Sequence, residues 1–303
     1  MPPESGPVVV PLRSVEQLTQ LYRDVLSPSF PPAELVSLDS FLADHAAGHL
    51  ESLGVVEVPD GAAPPAGPAT TGSGPGGTGT GPGTGTSTGP GGAGDGSDGP
   101  GGVGTAPDGS GPGAGTRVVA GVVGSWSAEA RVLLVQYLAI APGRRGGGIG
   151  AALLGAAVSA WLTNLRPVMV LGEVEHPRFH AASEAHGDPE ARLRFYARHG
   201  GRVLAVPYFQ PGNEPGAERV PALLLMTLAT ESPDATSVPA APLRTFLREY
   251  FEGSEGSLAD DAPTRALLDA VSGDRVELLG VDELDRVPVG LLDGSSLRAP
   301  AAG

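Results

Sequence analysis

The sequence predicts an α/β protein built on a mixed sheet, and three observations predict it. Apolar residues at helical spacing alternate along the chain with short, nearly continuous apolar runs of the kind buried strands show. A turn rich in glycine joins one such run directly to a helical pattern at 137–151 (YLAIAPGRRGGGIGA). The glycine and proline excess is local: residues 61–116 hold 23 glycines and 9 prolines, leaving 247 residues of ordinary, foldable composition.

Ser14 and Gln17 form a capping-box pattern, followed by Val15, Leu18, Leu21, Tyr22 and Val25 on one helical face. A second helix follows Pro31 and Pro32, marked by Leu35, Leu38, Phe41 and Leu42. Strands at 54–58 and 117–126 flank the 61–116 stretch, which has no aromatic residue and too little apolar surface to offset chain entropy. It is therefore expected to be a disordered hairpin insert; replacing a four-residue turn by 56 residues costs about 2 kcal/mol of closure entropy. The run 131–140 predicts a strand covered on both faces, and Ile149, Leu153, Ala157 and Trp161 step by four along a helix. A strand at 167–174, a polar-faced helix at 189–199 ended by Gly200, and strands at 202–209 and 220–228 complete the order. Residues 1–231 are thus expected to form one domain, with 232–303 a partly helical C-terminal extension around 243–251 and 264–271. The sequence assigns no function to that extension.

Composition removes several classes of function. The formal net charge of −15 argues against nucleic-acid partners. Every basic residue is arginine, so Schiff-base and pyridoxal chemistry and a Walker lysine are absent, and without cysteine there are no disulfides, thiol nucleophiles or thiolate metal sites. No run approaches 18 apolar residues and Met1 to Val10 lacks a signal pattern, so no membrane partner and a cytoplasmic location are expected. The single G-x-S-x-G, Gly85 to Gly89, falls within the 61–116 stretch, away from any predicted strand-to-helix turn, so it supplies no nucleophile elbow for a hydrolase. His45 and His49 fall at i, i+4 on a helix, as formally do His176 and His180 with His186 beyond; without HExxH, and with Gly48 and Pro177 intruding, they read as loop histidines, and no metal is expected.

The turn after Ile140 carries Arg144, Arg145, Gly146, Gly147, Gly148 and Gly150 and opens a helix at once. Small residues let backbone N–H groups close around an anion, to which a helix N-terminus and two arginines add positive charge. Three readings compete. The turn could be a chance loop in a glycine-biased chain. It could be a dinucleotide site, since Gly146, Gly148 and Ala151 fit G-x-G-x-x-A and Glu173 follows about 20 residues later.

In the third reading the segment resembles the GNAT-type N-acetyltransferase superfamily. Arg145, Gly148 and Gly150 occupy that family's R-x-x-G-x-G/A, which lies between its fourth strand and third helix and holds the pyrophosphate of acetyl-CoA; the approach from Leu138 to Pro142 matches its strand end. Downstream, the run from Phe195 to Gly201 resembles the L-Y-x-x-x-G-F that joins its fourth helix to its sixth strand. The family often has an asparagine seven residues before the motif tyrosine, where this chain has Pro189, and an aromatic residue where this chain has Gly201.

The resemblance implies a mostly antiparallel sheet flanked by helices, and acetyl transfer from acetyl-CoA to a primary amine by direct attack. The cofactor-binding residues would be Leu138, Ala139, Ile140, Arg144, Arg145, Gly146, Gly147, Gly148, Ile149, Gly150 and Ala151. Backbone groups of Leu138 and Ile140 would pair with the pantetheine arm. Glu173 and Glu175, two apart at a strand end and so on one face, are candidate bases, with Glu173 the more interior; the bland alternative is a solvated strand end. Tyr196 is the candidate acid for the leaving thiolate, or else a core aromatic. The acidic chain suits a cationic amine, and a non-catalytic acyl-CoA-binding or regulatory module stays open.

Overall fold

The computed structural model describes residues 8–57, 116–144, 146–183 and 187–291. The segment 61–115 of the expected insert, with Arg145 and His186, lies outside them.

Among the described residues, nine strands form one sheet: β1 (Val8–Pro11), β2 (Leu50–Glu57), β3 (Arg117–Ser127), β4 (Val132–Ile140), β5 (Met169–Glu175), β6 (Arg202–Leu204), β7 (Leu223–Thr230), β8 (Ser237–Pro239) and β9 (Arg275–Leu279). Their spatial order is β1-β2-β3-β4-β5-β7-β6-β9-β8. Every adjacent pair is antiparallel except β4 and β5, which run parallel. The helices are α1 (Val15–Gln20), α2 (Leu38–Ala46), α3 (Ile149–Asn164), α4 (Pro189–Arg198), α5 (Ala240–Glu255) and α6 (Ala262–Ala270). The fold is the mixed, mostly antiparallel α/β sheet flanked by helices that the GNAT resemblance implies. The glycine turn falls between the fourth strand and third helix, and Tyr196 lies on the fourth helix, which leads into the sixth strand.

Local chemistry explains the elements. Ser14 and Gln17 exchange both capping-box hydrogen bonds at the start of α1. That helix runs on as a π-helical turn, Leu21–Leu26, whose Leu21, Val25 and Leu26 are buried. A Cβ on Gly121 of β3 would lie 2.1 Å from Leu21 Cδ1, so glycine there lets the turn press onto the sheet. Asp188 caps α4 by accepting from the N–H groups of Glu190 and Ala191, with Pro189 in the first turn. β2 and β3 pair out to Glu57 opposite Arg117, so the two strands flanking the expected insert are hairpin neighbours.

Two faces are covered. On one, α3 and α4 pack Leu153, Ala157, Trp161, Leu193 and Tyr196 over the sheet. On the other, α1, its π turn and α2 cover β2 to β4, while α5 and α6 cover β4 to β9. The C-terminal extension thus supplies two helices to that face and two strands to the sheet.

Several expectations are corrected. The strand expected at 202–209 stops at Leu204. Pro207 has no N–H for a ladder, and the N–H groups of Val206 and Tyr208 turn back to the carbonyls two residues earlier. The strand expected at 220–228 begins at Leu223, after Pro221 and Ala222, the latter at φ 54. His49 lies beyond the end of α2, so it does not share a helical face with His45. Among the described residues, no helix is long and apolar enough to cross a membrane.

Candidate functional site

The site begins where two strands part. β4 and β5 pair in parallel from Val132 opposite Met169 to Val135 opposite Gly172, and no further. β5 continues to Glu175 along β7, and β4 continues to Ile140 along β3. A bulge marks the parting: Val135 and Tyr137 face adjacent residues of β3, leaving Gln136 as the extra, exposed residue. The bulge also reverses the alternation of β4. Before it Leu133 and Val135 face α3; after it Leu138 and Ile140 do, while Tyr137 and Ala139 turn to the α1 side.

The free edge of β4 carries its own hydrogen-bonding groups. Ala141 donates its N–H to Val119 of β3 at 2.9 Å. By strand alternation Ala139 faces β3 as well, and the N–H and C=O groups of Leu138 and Ile140 point into the gap.

The glycine turn opens beside that edge. Gly143, Gly146, Gly147 and Gly148 all have positive φ, and a Cβ on any of them would meet nothing within 4 Å. Gly148 is the N-cap of α3 at φ 74 and offers no side-chain cap, so the first-turn N–H groups of the helix have no acceptor in the helix itself. Open space, backbone donors and a helix N-terminus together fit a diphosphate. Arg144 is ion-paired with Glu57 at the end of β2, both about half exposed. Gly150 is the second residue of α3, with Ile140 Cδ1 at 3.6 Å and Phe195 Cζ at 3.9 Å from where its Cβ would stand, so α4 comes close to the turn.

Glu173 sits on β5 just past the last pair with β4, on the α5 side of the sheet. Tyr208 donates its hydroxyl to Oε1, and Gln210 donates Nε2–H to Oε2 at 3.2 Å. Burial pushes the carboxyl up to about 7, against the pull of hydrogen bonds from Tyr208, Gln210 and Tyr250. Tyr208 and Tyr250 are pushed well above the ordinary phenol range, first by burial and then by the carboxylate. Tyr137, above the gap on β4, is also raised by burial and donates its hydroxyl to the Glu34 carbonyl at 3.0 Å.

The structure gives the two carboxylates different partners. Glu175 pairs with Arg192 of α4 at 3.3 Å. Tyr196 is buried on the opposite face of the sheet from Glu173, against Phe195 at 5.3 Å between ring centroids. Its phenol is raised by burial, with Arg192 opposing. Gly201 stands where the family pattern has an aromatic residue; a Cβ there would lie 2.8 Å from the Tyr196 carbonyl oxygen, so this turn is too tight for a side chain.

Three of the histidines, His45, His176 and His180, are occupied elsewhere. His45 shares a 2.9 Å hydrogen bond with Ser52 and is lowered to about 4 by burial. His176 Nδ1 accepts from the Arg178 N–H, and His180 hydrogen-bonds the Pro221 carbonyl. Gln136, Tyr208, Gln210 and Tyr250 are the site residues that sequence reasoning missed. Tyr208 and Gln210 do stand two apart, as Glu173 and Glu175 do.

No family model matches the chain, and no curated protein does. Similar solved structures include a protein from Bacteroides thetaiotaomicron assigned to the GNAT family of acetyltransferases, at 16% identity, covering 81% of this chain and 98% of its own, with a TM-score of 0.46. A second, from Desulfovibrio desulfuricans and assigned to the same family, is 14% identical over 73% of this chain and 99% of its own, at 0.36. The ribosomal-protein-S18-alanine N-acetyltransferase of Escherichia coli is 12% identical over 75% and 97%, at 0.37. With these scores under 0.5, the chain's own geometry has to carry any functional reading.

Proposed function

We propose that the chain is an acyltransferase that moves an acetyl group from acetyl-CoA to a primary amine by direct attack in a ternary complex. One observation carries the reading. Two parallel strands part beside an open turn of backbone donors, and a half-buried carboxylate with raised pKa stands at the parting.

In this reading the turn from Gly146 to Ala151 takes the diphosphate on backbone N–H groups, with Arg144 and Arg145 adding charge. Leu138 and Ile140 hold the pantetheine amides through the free edge of β4, and a backbone N–H there polarises the thioester carbonyl. The amine arrives as an ammonium ion and gives one proton to Glu173, directly or through water. Its nitrogen then attacks the thioester carbonyl; as the carbon–sulfur bond breaks, Tyr196 gives the leaving thiolate its proton, and the second proton shed by the nitrogen returns through water to the Tyr196 phenolate. Base and acid stand on opposite faces of the sheet, which suits two reactants meeting in the gap between β4 and β5. A carboxyl near 7 is poised to accept a proton at neutral pH, and a raised phenol keeps its proton until the thiolate forms.

The test is calorimetry with acetyl-CoA, followed by thiol release over a panel of tyramine, spermidine, an aminoglycoside and an N-terminal peptide. Saturable binding with turnover of at least one amine is expected. Binding without turnover on any amine would instead favour a non-catalytic acyl-CoA-binding module, and absence of binding would remove the reading altogether.

A further inference from the structure

We propose that Tyr208 and Gln210 are positioning residues for this reaction, and that the C-terminal extension holds them in place. The proposal rests on the transferase reading above and extends it to residues that the two family motifs do not include.

Both oxygens of Glu173 are taken by one short segment: Tyr208 donates to Oε1 and Gln210 to Oε2. Two donors on two oxygens fix the plane of a carboxylate as well as its position. The segment itself is not a strand, and residues later in the chain support it. Ala205 donates to the Glu277 carbonyl of β9 at 3.0 Å, and Tyr208 bridges in parallel to Val289. Phe209, between the two donors, packs edge-on against Phe251 of α5 at 5.2 Å. The guanidinium of Arg219 lies 5.1 Å from the centroid of the same ring. Arg219 is in turn clamped by Glu255 at the end of α5, through two contacts of 2.6 Å, and by Asp261, the N-cap of α6, at 2.7 Å. A path of direct contacts therefore runs from the extension to the carboxylate at the gap.

The groups facing that carboxylate are Tyr208 from the segment, Tyr250 from α5 and Tyr137 from β4. Further along its own strand, Glu175 is paired with Arg192. None of the groups facing Glu173, among the described residues, is a cation. Its ionised form therefore depends on neutral donors, and removing one should show directly in its titration.

The experiment uses the full chain with ¹³C at the glutamate side-chain carboxyl and assigns the Glu173 resonance with Glu173→Gln. The wild-type midpoint is expected at about 7. Tyr208→Phe and Gln210→Leu should each move it upward, by about one unit for the hydroxyl. The acidic limb of kcat/KM on the best amine should move with it, while the Kd for acetyl-CoA stays within about twofold. Phe251→Leu, which touches Phe209 and not Glu173, should move the midpoint in the same direction by less. If Tyr208→Phe does not fold, Gln210→Leu and Phe251→Leu still decide. A midpoint unchanged in Tyr208→Phe and Gln210→Leu would overturn the positioning role. One unchanged in Phe251→Leu alone would remove the extension from it, and a shifted midpoint with an unshifted rate profile would show that the hold does not serve the reaction. Full activity in Glu173→Gln would instead sink the base assignment, which the titration reads independently of turnover.

Discussion

Glu173 carries a charge its surroundings resist, and that has a cost in stability as well as a use. Its carboxyl stands at about 7 in the folded protein against 4.5 ordinarily, so the native state binds this proton more tightly than the unfolded chain does. Stability from this group is therefore fully present below pH 4.5 and is lost as pH rises through 7, by about 3 kcal/mol at the alkaline end. Glu173→Gln, nearly isosteric and always neutral, should flatten that slope. Denaturant melts at pH 5 and pH 8 check it: the variant should gain on wild type only at pH 8. The same change should lower turnover most at neutral pH and leave activity that climbs as the amine loses its proton in solution. A variant with wild-type slope in both measurements would mean the carboxyl is not held near neutrality. Tyr196→Phe asks the matching question of the acid. It keeps the buried ring and deletes the hydroxyl, so kcat should fall by roughly 10² with the melting temperature and acetyl-CoA affinity nearly unchanged. Full kcat would leave Tyr196 a core aromatic.

At the scale of elements, the β4–α3 turn concentrates the binding argument in backbone. Gly148 has φ 74 and open space around it, so Gly148→Val both strains the cap and fills the anion's approach. Calorimetry should show acetyl-CoA affinity down at least about tenfold in a folded protein; unchanged affinity would move the cofactor elsewhere. This turn was legible in the sequence because its chemistry is local: glycines, arginines and a strand-to-helix switch within fifteen residues. The helices were legible for the same reason, through the capping box at Ser14, the four-residue step from Ile149 to Trp161, and Pro189 followed by Gly200. What long-range pairing decides was not. The segment after Leu204 looked like a strand by composition, yet Pro207 breaks the ladder and its partner Val289 comes some eighty residues later. Strands β1, β8 and β9 are only three to five residues long, too short to show alternation, and β9 is paired by β6 from far upstream. The bulge at Gln136 shows in the sequence only as one polar residue inside an apolar run, which does not by itself signal an extra residue in the ladder. The donors to Glu173 could be found only once 205–210 was folded onto β5.

At the scale of the molecule, the chain's two additions should differ sharply in what they contribute. The extension closes one face of the sheet: Leu243, Phe246, Leu247, Phe251 and Leu267 pack on Met169, Leu171 and Leu225. Each such side chain contributes about 2 kcal/mol, so a chain ended at 231 should fail to fold, as circular dichroism and gel filtration would show. A folded, acetyl-CoA-binding truncation would contradict this. The 61–116 stretch should behave in the opposite way. Its flanks are already zipped, with Val56 opposite Val118 and Glu57 opposite Arg117, so a four-residue turn can take over at the root without disturbing either strand. Shortening the loop returns about 2 kcal/mol of closure entropy, which for a domain of this size raises the melting temperature by roughly 4–8 °C. Glu57 also holds Arg144 beside the glycine turn, and the deletion keeps that pair. Acetyl-CoA affinity in the shortened chain should therefore stay within about threefold of wild type, since the groups proposed to hold its phosphates are untouched. Loss of folding, or a larger loss of acetyl-CoA binding with folding intact, would show that the stretch contributes to the fold or to the cofactor site through something other than its length.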